Sequence, residues 1–210
     1  MAIKLIVADD AEIIRMALAK LLKNEGIEIV AEAVTGREAI KKTKKHKPDV
    51  LLMDVMMPDI DGLYALEKVR KEVPTTKVVM MSAHDNPTYL ARAVALGAEA
   101  FLSKDVPAKE FAATIKCVVR GEKASGDTPH SKMKAELDKR PDPRADNVPL
   151  TRREYQVLRH LAYGLSNREI AQSLAISIET IKEHVQNILR KLDAADRTEA
   201  AVWAMNRKLI

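Results

Sequence analysis

Four charged side chains in this 210-residue chain follow apolar runs and are suited to chemistry. Asp9 and Asp10 follow the first run, Asp54 follows a second, and Lys104 follows a later one. In an open parallel α/β sheet, ligands bind where the strands end, so we expect these groups to converge. Converging carboxylates repel one another unless a hard cation lies between them, so the pattern predicts Mg²⁺. A carboxylate beside that metal, with a lysine opposite to meet incoming negative charge, is typical of a phosphoryl-acceptor site.

Short apolar runs that alternate with helical stretches must position these residues. Uninterrupted apolar runs are typical of strands buried on both faces. The pattern predicts strands at Lys4–Ala8, Ile27–Ala33, Val50–Met53, Lys77–Met81 and Ala100–Ser103. It predicts helices at Ala11–Asn24, Gly36–Lys45, Gly62–Lys71, Pro87–Leu96 and Pro107–Arg120. This alternation predicts one doubly wound α/β domain over residues 1–120.

The motifs of this region resemble those of response-regulator receiver domains, and every motif position is filled in order. The positions are Asp9-Asp10, Asp54, Met57-Pro58, Gly62, Ser82-Ala83, Gly97-Ala98, Phe101 and Lys104. The resemblance covers about residues 1–120 and implies the flavodoxin-like fold of that family, with a five-stranded parallel sheet.

The resemblance also implies roles for the acidic residues. Asp54 would accept a phosphoryl group from the phosphohistidine of a sensor kinase. Asp9 and Asp10 would hold Mg²⁺ together with Asp54, and the backbone carbonyl of Met56 would be a further ligand.

Three further residues are assigned to the phosphorylated state by the same resemblance. Lys104 would pair with one phosphoryl oxygen, and Ser82 would hydrogen-bond another. Phe101 would turn inward behind Ser82. Ala100, where many members of the family carry glycine, is a small departure from the pattern.

The C-terminal region carries the signals of four short helices. Thr151 with Glu154, and Ser166 with Glu169, have the spacing of capping boxes. Ser177 and Asp196 have the character of two further N-caps. We expect helices at about 152–163, 167–174, 178–191 and 197–208, and a helix-turn-helix formed by the second and third. Residues 149–210 are therefore predicted to form an all-α domain of four helices.

The third of these helices has an apolar stripe and a polar face. The stripe consists of Ile181, Val185, Ile188, Leu189 and Leu192 at helical spacing. A polar face is usually only solvated, but the surrounding motifs resemble the LuxR-type output domain. These motifs are Leu150-Thr151-x-Arg153-Glu154, Gly164-x-Ser166-Asn167-Arg168-Glu169-Ile170-Ala171, Thr180-Ile181-Lys182-x-His184 and Arg197-Thr198-Glu199-Ala200. The whole chain thus resembles a two-component response regulator of the NarL/FixJ family.

That resemblance places the third helix in the DNA major groove. Lys182, Glu183 and Gln186 would face base edges, where these side-chain types can discriminate between bases. The residues expected near phosphates are Thr180, His184 and Asn187. The small residues of the fourth helix are expected to form a dimer interface: Ala200, Ala201 and Ala204.

Residues 121–148 lack the apolar content of a core and are predicted to form a flexible linker, with a short helix suggested at Lys132–Lys139. The domain after this linker carries 10 basic and 7 acidic side chains, so its nonspecific DNA affinity should be modest. The single cysteine, Cys117, excludes an intrachain disulfide. The chain contains neither an apolar stretch of membrane-spanning length nor an N-terminal signal pattern, so we expect it in the cytoplasm.

The predicted function is a transcriptional regulator whose DNA binding depends on phosphorylation. Its expected partners are a sensor histidine kinase, double-stranded DNA, a second copy of the phosphorylated chain and the transcription machinery, and no turnover of an external substrate is expected. We expect the inactive receiver to cover the third helix and phosphorylation to release it for dimerisation on two half-sites.

Two other classes of function compete with this one. A hydrolase with an aspartate nucleophile would also need aspartate, lysine and Mg²⁺, but such enzymes usually carry a second carboxylate two residues later, where this chain has Met56. A receiver that signals only through protein contacts is the other alternative, against which the helix-turn-helix pattern argues.

Overall fold

A computed structural model of the chain describes residues 2–122, 128–139 and 149–207. The expected flexible linker falls partly outside these residues, at 123–127 and 140–148, as does position 208 at the predicted end of the last helix. Within the described residues, no helix combines the length and the apolar character that a membrane crossing needs.

The N-terminal region forms the predicted five-stranded parallel sheet, in the order β2-β1-β3-β4-β5. The strands are β1 (Ile3–Ala8), β2 (Ile27–Ala33), β3 (Val50–Asp54), β4 (Lys77–Ser82) and β5 (Ala100–Ser103). The helices between and after them are α1 (Glu12–Leu22), α2 (Gly36–His46), α3 (Gly62–Glu72), α4 (Pro87–Ala95) and α5 (Ala108–Val119). The doubly wound receiver fold is confirmed, and the helices differ from the predicted ranges only at their ends.

The sheet is buried because helices cover both of its faces. Every residue of β3 is buried, as expected for a central parallel strand. The core on one face draws on α2, α3 and α4, and the core on the other face draws on α1 and α5. The strand order places the ends of β1 and β3 side by side, since these two strands pair directly.

The C-terminal region forms the predicted helices α7 (Arg152–Ala162), α8 (Asn167–Leu174), α9 (Ile178–Leu192) and α10 (Arg197–Asn206). Both predicted capping boxes form, at Thr151 and at Ser166. Ala175 takes a left-handed φ of 52° and closes the tight turn between α8 and α9. The all-α helix-turn-helix fold is confirmed.

A further helix, α6 (Pro129–Asp138), lies between the two regions, where the linker was expected to be flexible. It begins three residues before the suggested helix at Lys132–Lys139, because Thr128 caps it and Pro129 occupies its first turn. The buried side chains of α6 share one core with α4 and with the C-terminal helices; this core includes Met133, Leu137, Ala91, Ala95 and Leu158. Part of the expected flexible linker is therefore an ordered helix packed against both regions.

Candidate functional site

The predicted carboxylates and lysine meet at the carboxyl edge of the sheet. Oxygens of Asp9, Asp10 and Asp54 all lie within 4.8 Å of one another. Lys104 donates a hydrogen bond of 2.9 Å to Asp54 Oδ2, and its Nζ lies 2.6 Å from Asp9 Oδ2. Asp9 and Asp54 are buried, whereas Asp10 is exposed. The cluster therefore has a buried wall and an open side from which a ligand can approach.

Short-range backbone contacts fix the positions of these residues. The amide of Ala11 donates to Asp9 Oδ1 at 2.9 Å, which orients this carboxylate at the start of α1. The amide of Lys104 donates to the carbonyl of Ser82 at 2.8 Å, which ties the end of β5 to the end of β4. Gly62 begins α3 directly against β3, and a Cβ there would lie 1.9 Å from the carbonyl oxygen of Asp54. Only glycine allows α3 to pack this closely behind Asp54.

Burial and the charge of Lys104 shift the pKa of Asp54, the predicted acceptor, in opposite directions. Burial raises the pKa of Asp54 above its usual range, and the hydrogen bond from Lys104 only partly offsets this effect. For Lys104, burial lowers the pKa, but the contacts with Asp9 and Asp54 outweigh it, so the net shift is upward. Lys104 therefore carries its positive charge beside a carboxylate that is poorly solvated.

The donor set fits a hard divalent cation. Three carboxylates face a single ammonium group, so negative charge exceeds positive charge in the cluster. Asp9 Oδ2 is fully buried, and Lys104 Nζ lies 2.6 Å from it as an ionic partner. A buried carboxylate oxygen of this kind is suited to coordinate Mg²⁺, which prefers oxygen ligands. The residues present therefore fit the metal that the sequence predicts.

The two predicted switch residues lie beside this cluster. The hydroxyl of Ser82 donates to the carbonyl of His84 at 3.1 Å and accepts from the amide of His84 at 3.0 Å. It is therefore engaged with its own loop. Phe101, on β5, is partly buried against the core beneath α3 and α4.

The polar face of α9 is open to solvent. Lys182, Glu183 and Gln186 are exposed, and Thr180, His184 and Asn187 are partly exposed. Ile181 and Ile188 are fully buried on the opposite face. A helix of a helix-turn-helix with a solvated polar face has the arrangement needed to enter a major groove.

Two residues of this helix have contacts that sequence reasoning did not foresee. The side chain of Asn187 accepts a hydrogen bond of 2.8 Å from Arg190. Lys191 binds Glu154, the capping-box residue of α7, with a shortest distance of 2.7 Å. Lys191 therefore joins α9 to α7.

Charged residues of α8 dock on the receiver. Arg92 of α4 lies 2.5 Å from the carboxylate of Glu169, the capping-box residue of α8. Arg168 pairs with Glu67 of α3. The side-chain amide of Gln172 donates, at 3.1 Å, to the carbonyl that ends α4. These contacts hold α8 of the helix-turn-helix against α3 and α4 of the receiver.

Comparison with known proteins decides the family. The chain matches a model described as "Response regulator receiver domain" over residues 5–116 and one described as "Bacterial regulatory proteins, luxR family" over residues 148–204. It is 36% identical over 211 residues to the response regulator protein VraR of Staphylococcus aureus, and the match covers 100% of both chains. The protein is a response regulator of the LuxR family. Its function is therefore that of a phosphorylation-regulated transcription regulator, with a kinase as a partner and DNA as its target.

Solved structures agree with this assignment. The receiver domain of the putative response regulator NarL from Mycobacterium tuberculosis is 32% identical, covers 58% of this chain and 98% of its own, and gives a TM-score of 0.56. A structure described as the RcsB–DNA complex is 23% identical, covers 98% of both chains and gives a TM-score of 0.59; at that identity it supports the fold alone.

The dimer residues predicted for this regulator need correction. Ala200 and Ala204 are fully buried, and they pack in the core that includes α7. Their small side chains allow α10 to approach its own domain, so they cannot also form the expected surface for a second copy. Ala201 is partly exposed, while Val202 and Met205 are about half exposed, at 48% and 54%.

The expected cover over α9 is also not found. The receiver contacts α8 through Arg92 and Glu67, whereas Lys182, Glu183 and Gln186 of α9 remain exposed. The receiver meets α8 rather than α9 because α3 and α4 carry charged partners for α8, and α4 also shares an apolar core with the output domain. Nothing in the sequence identified Arg92 as an interdomain residue, since it lies in a mainly apolar helix and its partner is 77 positions away.

Proposed function

We propose that the regulator acts by accepting a phosphoryl group on Asp54 and then releasing its output domain to bind DNA as a dimer. The observation that carries this proposal is the cluster of Asp9, Asp10 and Asp54 closed by Lys104 at the sheet edge. Because α4 contacts the capping box of α8, a displacement of α4 on phosphorylation would change the contact with the DNA-binding domain.

The acceptor step is an in-line phosphoryl transfer. An oxygen of Asp54 attacks the phosphorus of a kinase phosphohistidine, so that the phosphorus–nitrogen bond breaks and an acyl phosphate forms. Lys104 lies beside the attacking oxygen and stabilises the negative charge of the incoming group. Asp9, Asp10, Asp54 and the backbone carbonyl of Met56 would hold Mg²⁺, which would supply further positive charge to neutralise the phosphoryl group.

The switch begins at Ser82. In the structure its hydroxyl is held by the backbone of His84, and in the phosphorylated state it turns to a phosphoryl oxygen. This turn displaces the loop that leads into α4, and Phe101 moves into the space behind it. Because α4 carries Arg92, its displacement weakens the ion pair with Glu169 and frees α8.

The reading face of α9 is already exposed in the docked state, so release serves to let two output domains take up the mutual arrangement in which both read DNA. Lys182, Glu183 and Gln186 contact base edges, and their neighbours on α9 contact phosphates. RcsB, which has the same fold, has been solved in complex with DNA. A second copy binds through the exposed face of α10, at Val202 and Met205, so that two recognition helices meet two half-sites. Bound there, the dimer acts on the transcription machinery.

Labelling with radioactive acetyl phosphate in the presence of Mg²⁺, followed by a gel shift, tests this proposal. The wild-type chain is expected to incorporate label and to bind DNA more tightly afterwards, and Asp54→Asn is expected to do neither. Asp105→Asn makes the same chemical change at an exposed aspartate beside Lys104 and should behave as wild type. Full labelling of Asp54→Asn would show that the acceptor is another residue.

A further inference from the structure

A groove between α2 and α3 has a composition that neither phosphoryl transfer nor DNA reading explains. Its volume is about 580 Å³. Its apolar part is formed by Ile40, Ile60 and the half-exposed ring of Tyr64. Lysines line its rim at positions 41, 45 and 68. We call this surface, defined by these six residues, the α2–α3 groove.

The rim of the groove carries an excess of positive charge, since Glu72 is the one acidic residue among the described residues that line it. Two neighbouring cations are paired, Arg37 with Asp59 and Lys44 with Glu72. For Lys41, Lys45 and Lys68, in contrast, no carboxylate within the described parts of the chain lies at ion-pair distance. The position of Lys45 in the last turn of α2 is favourable for the helix dipole. That effect does not extend to Lys41, in the middle of the helix, or to Lys68, which faces the same groove from α3.

The groove lies away from the surfaces used by the rest of the molecule. Lys68 contributes to the groove, whereas the preceding residue, Glu67, pairs with Arg168 of the output domain. The output domain is therefore on the α4 side of α3 and leaves the α2 side free. The bidentate contact of Arg37 with Asp59, at 2.7 and 3.1 Å, joins the start of α2 to the loop before α3 and holds the two walls together.

We propose that the α2–α3 groove is a docking surface for an acidic segment of a partner protein that places an apolar side chain against Tyr64. The lysines around this apolar floor, of which Lys68 also lies 5.3 Å from the centre of the Tyr64 ring, are complementary to carboxylates flanking an apolar residue. The groove is shallow and open along both helices, unlike a pocket that encloses a small ligand. Its apolar floor would stay unused by a DNA backbone, which offers phosphates and sugars. The docking does not require release of the output domain, because the groove is exposed while that domain is docked.

The probe for this proposal is a fluorescein-labelled synthetic peptide in which leucines recur at helical spacing among glutamates. Its binding to the full-length chain is followed by fluorescence anisotropy at moderate salt. Lys41→Glu combined with Lys45→Glu is expected to weaken binding about tenfold. The matched control, Lys20→Glu combined with Lys23→Glu on and beside α1, makes the same charge change outside the groove and should bind as wild type. Tyr64→Ser should weaken binding, and Tyr64→Phe should restore it.

Three results would overturn the proposal. A peptide with serine in place of leucine that binds equally well would leave only nonspecific charge attraction. Equal weakening by the control pair would mean that the total charge of the chain, rather than the groove, governs binding. The same double variant, Lys41→Glu with Lys45→Glu, is also tested for binding to a DNA duplex that contains no operator. If this duplex loses as much affinity as the peptide does, nucleic acid is the occupant of the groove. Circular dichroism of each variant confirms that the fold is intact.

Discussion

At the scale of single residues, one carboxylate of this regulator both caps a helix of the output domain and pairs with the receiver. Glu169 accepts hydrogen bonds from the amide and the hydroxyl of Ser166, which begins α8, and also pairs with Arg92 of the receiver. Its side chain is only 7% exposed. In the docked state, removal of Arg92 would leave this buried charge without its cationic partner. In the released state the same charge is solvated, so the loss of Arg92 penalises the docked state selectively.

Arg92→Ala is therefore expected to raise the affinity of the unphosphorylated chain for DNA. Charge-assisted hydrogen bonds contribute roughly 1.5–3 kcal/mol, so the shift toward the released state should increase apparent affinity by about tenfold or more. Titration of an operator duplex followed by anisotropy measures the change. Arg70→Ala, which removes an ion pair of 3.2 Å with Glu99 inside the receiver, is the matched control. An unchanged affinity for Arg92→Ala would mean that this ion pair does not restrain the output domain.

At the scale of elements, α9 should determine base preference. If Lys182 makes a bidentate base contact, Lys182→Ala should weaken operator binding by about 1–3 kcal/mol, and Gln186→Ala should relax preference at one base pair. Selection from random duplexes with each variant measures both effects. Lys20→Ala removes a lysine of α1 and is expected to leave the selected sequence unchanged. If both α9 variants select the same sequences as the wild-type chain, another element reads the bases.

The exposed face of α1 is the expected docking site for the kinase. Ile13 and Met16 are 75% and 65% exposed beside the acidic cluster, whereas Ile14 packs partly against the core. Ile13→Glu with Met16→Glu should slow phosphoryl transfer from the kinase, because an apolar contact is replaced by charge, and should spare labelling by acetyl phosphate. Leu21→Glu, one turn or more farther along α1, is the control for a charge on the same helix. Equal loss with both donors would indicate damage to the receiver fold.

The sequence predicts elements well where local signals are strong. The apolar strand β3 and the capping boxes at Thr151 and Ser166 lie where the pattern places them, because each depends on neighbouring residues. The docking of α8 depends on a pairing between Arg92 and Glu169, and no local pattern encodes such a distant partner. Ala200 and Ala204 lie in the core of their own domain rather than at the expected dimer surface, because small residues allow close approach to any helix, including one of the same domain.

At the scale of the whole molecule, two buried histidines should make stability depend on pH. His160 is fully buried, with Nδ1 2.8 Å from the carbonyl of Gln156 and Nε2 3.0 Å from the hydroxyl of Ser173. His130 of α6 is also buried, with Nε2 3.0 Å from the carbonyl of Ala98. Burial lowers the pKa of both imidazoles below the usual 6.5. Between the folded and the usual pKa, the unfolded chain binds more protons than the folded chain.

The contribution of these two histidines to the free energy of unfolding should therefore be constant above about pH 6.5. It should fall as the pH is lowered from the usual pKa of histidine to the lower pKa of the folded state. Urea unfolding at several pH values measures this, with the fluorescence of the single tryptophan, Trp203, as the signal from the output domain. His160→Gln should flatten the pH dependence even where it reduces stability overall. A slope that persists unchanged after this substitution would exclude His160 as its source.

The shared core bears on how such regulators diversify. Ala91 and Ala95 of the receiver, Met133 of the intervening helix α6 and Leu158 of the output domain belong to one apolar cluster. If recombination exchanged the receiver for a foreign one, a helix with a different surface would meet α6, and the apolar side chains would be exposed or poorly packed. A functional exchange must carry α4 and α6 along with compatible output residues. The segment that must be exchanged as one unit in this protein therefore extends across the boundary between its two folded regions.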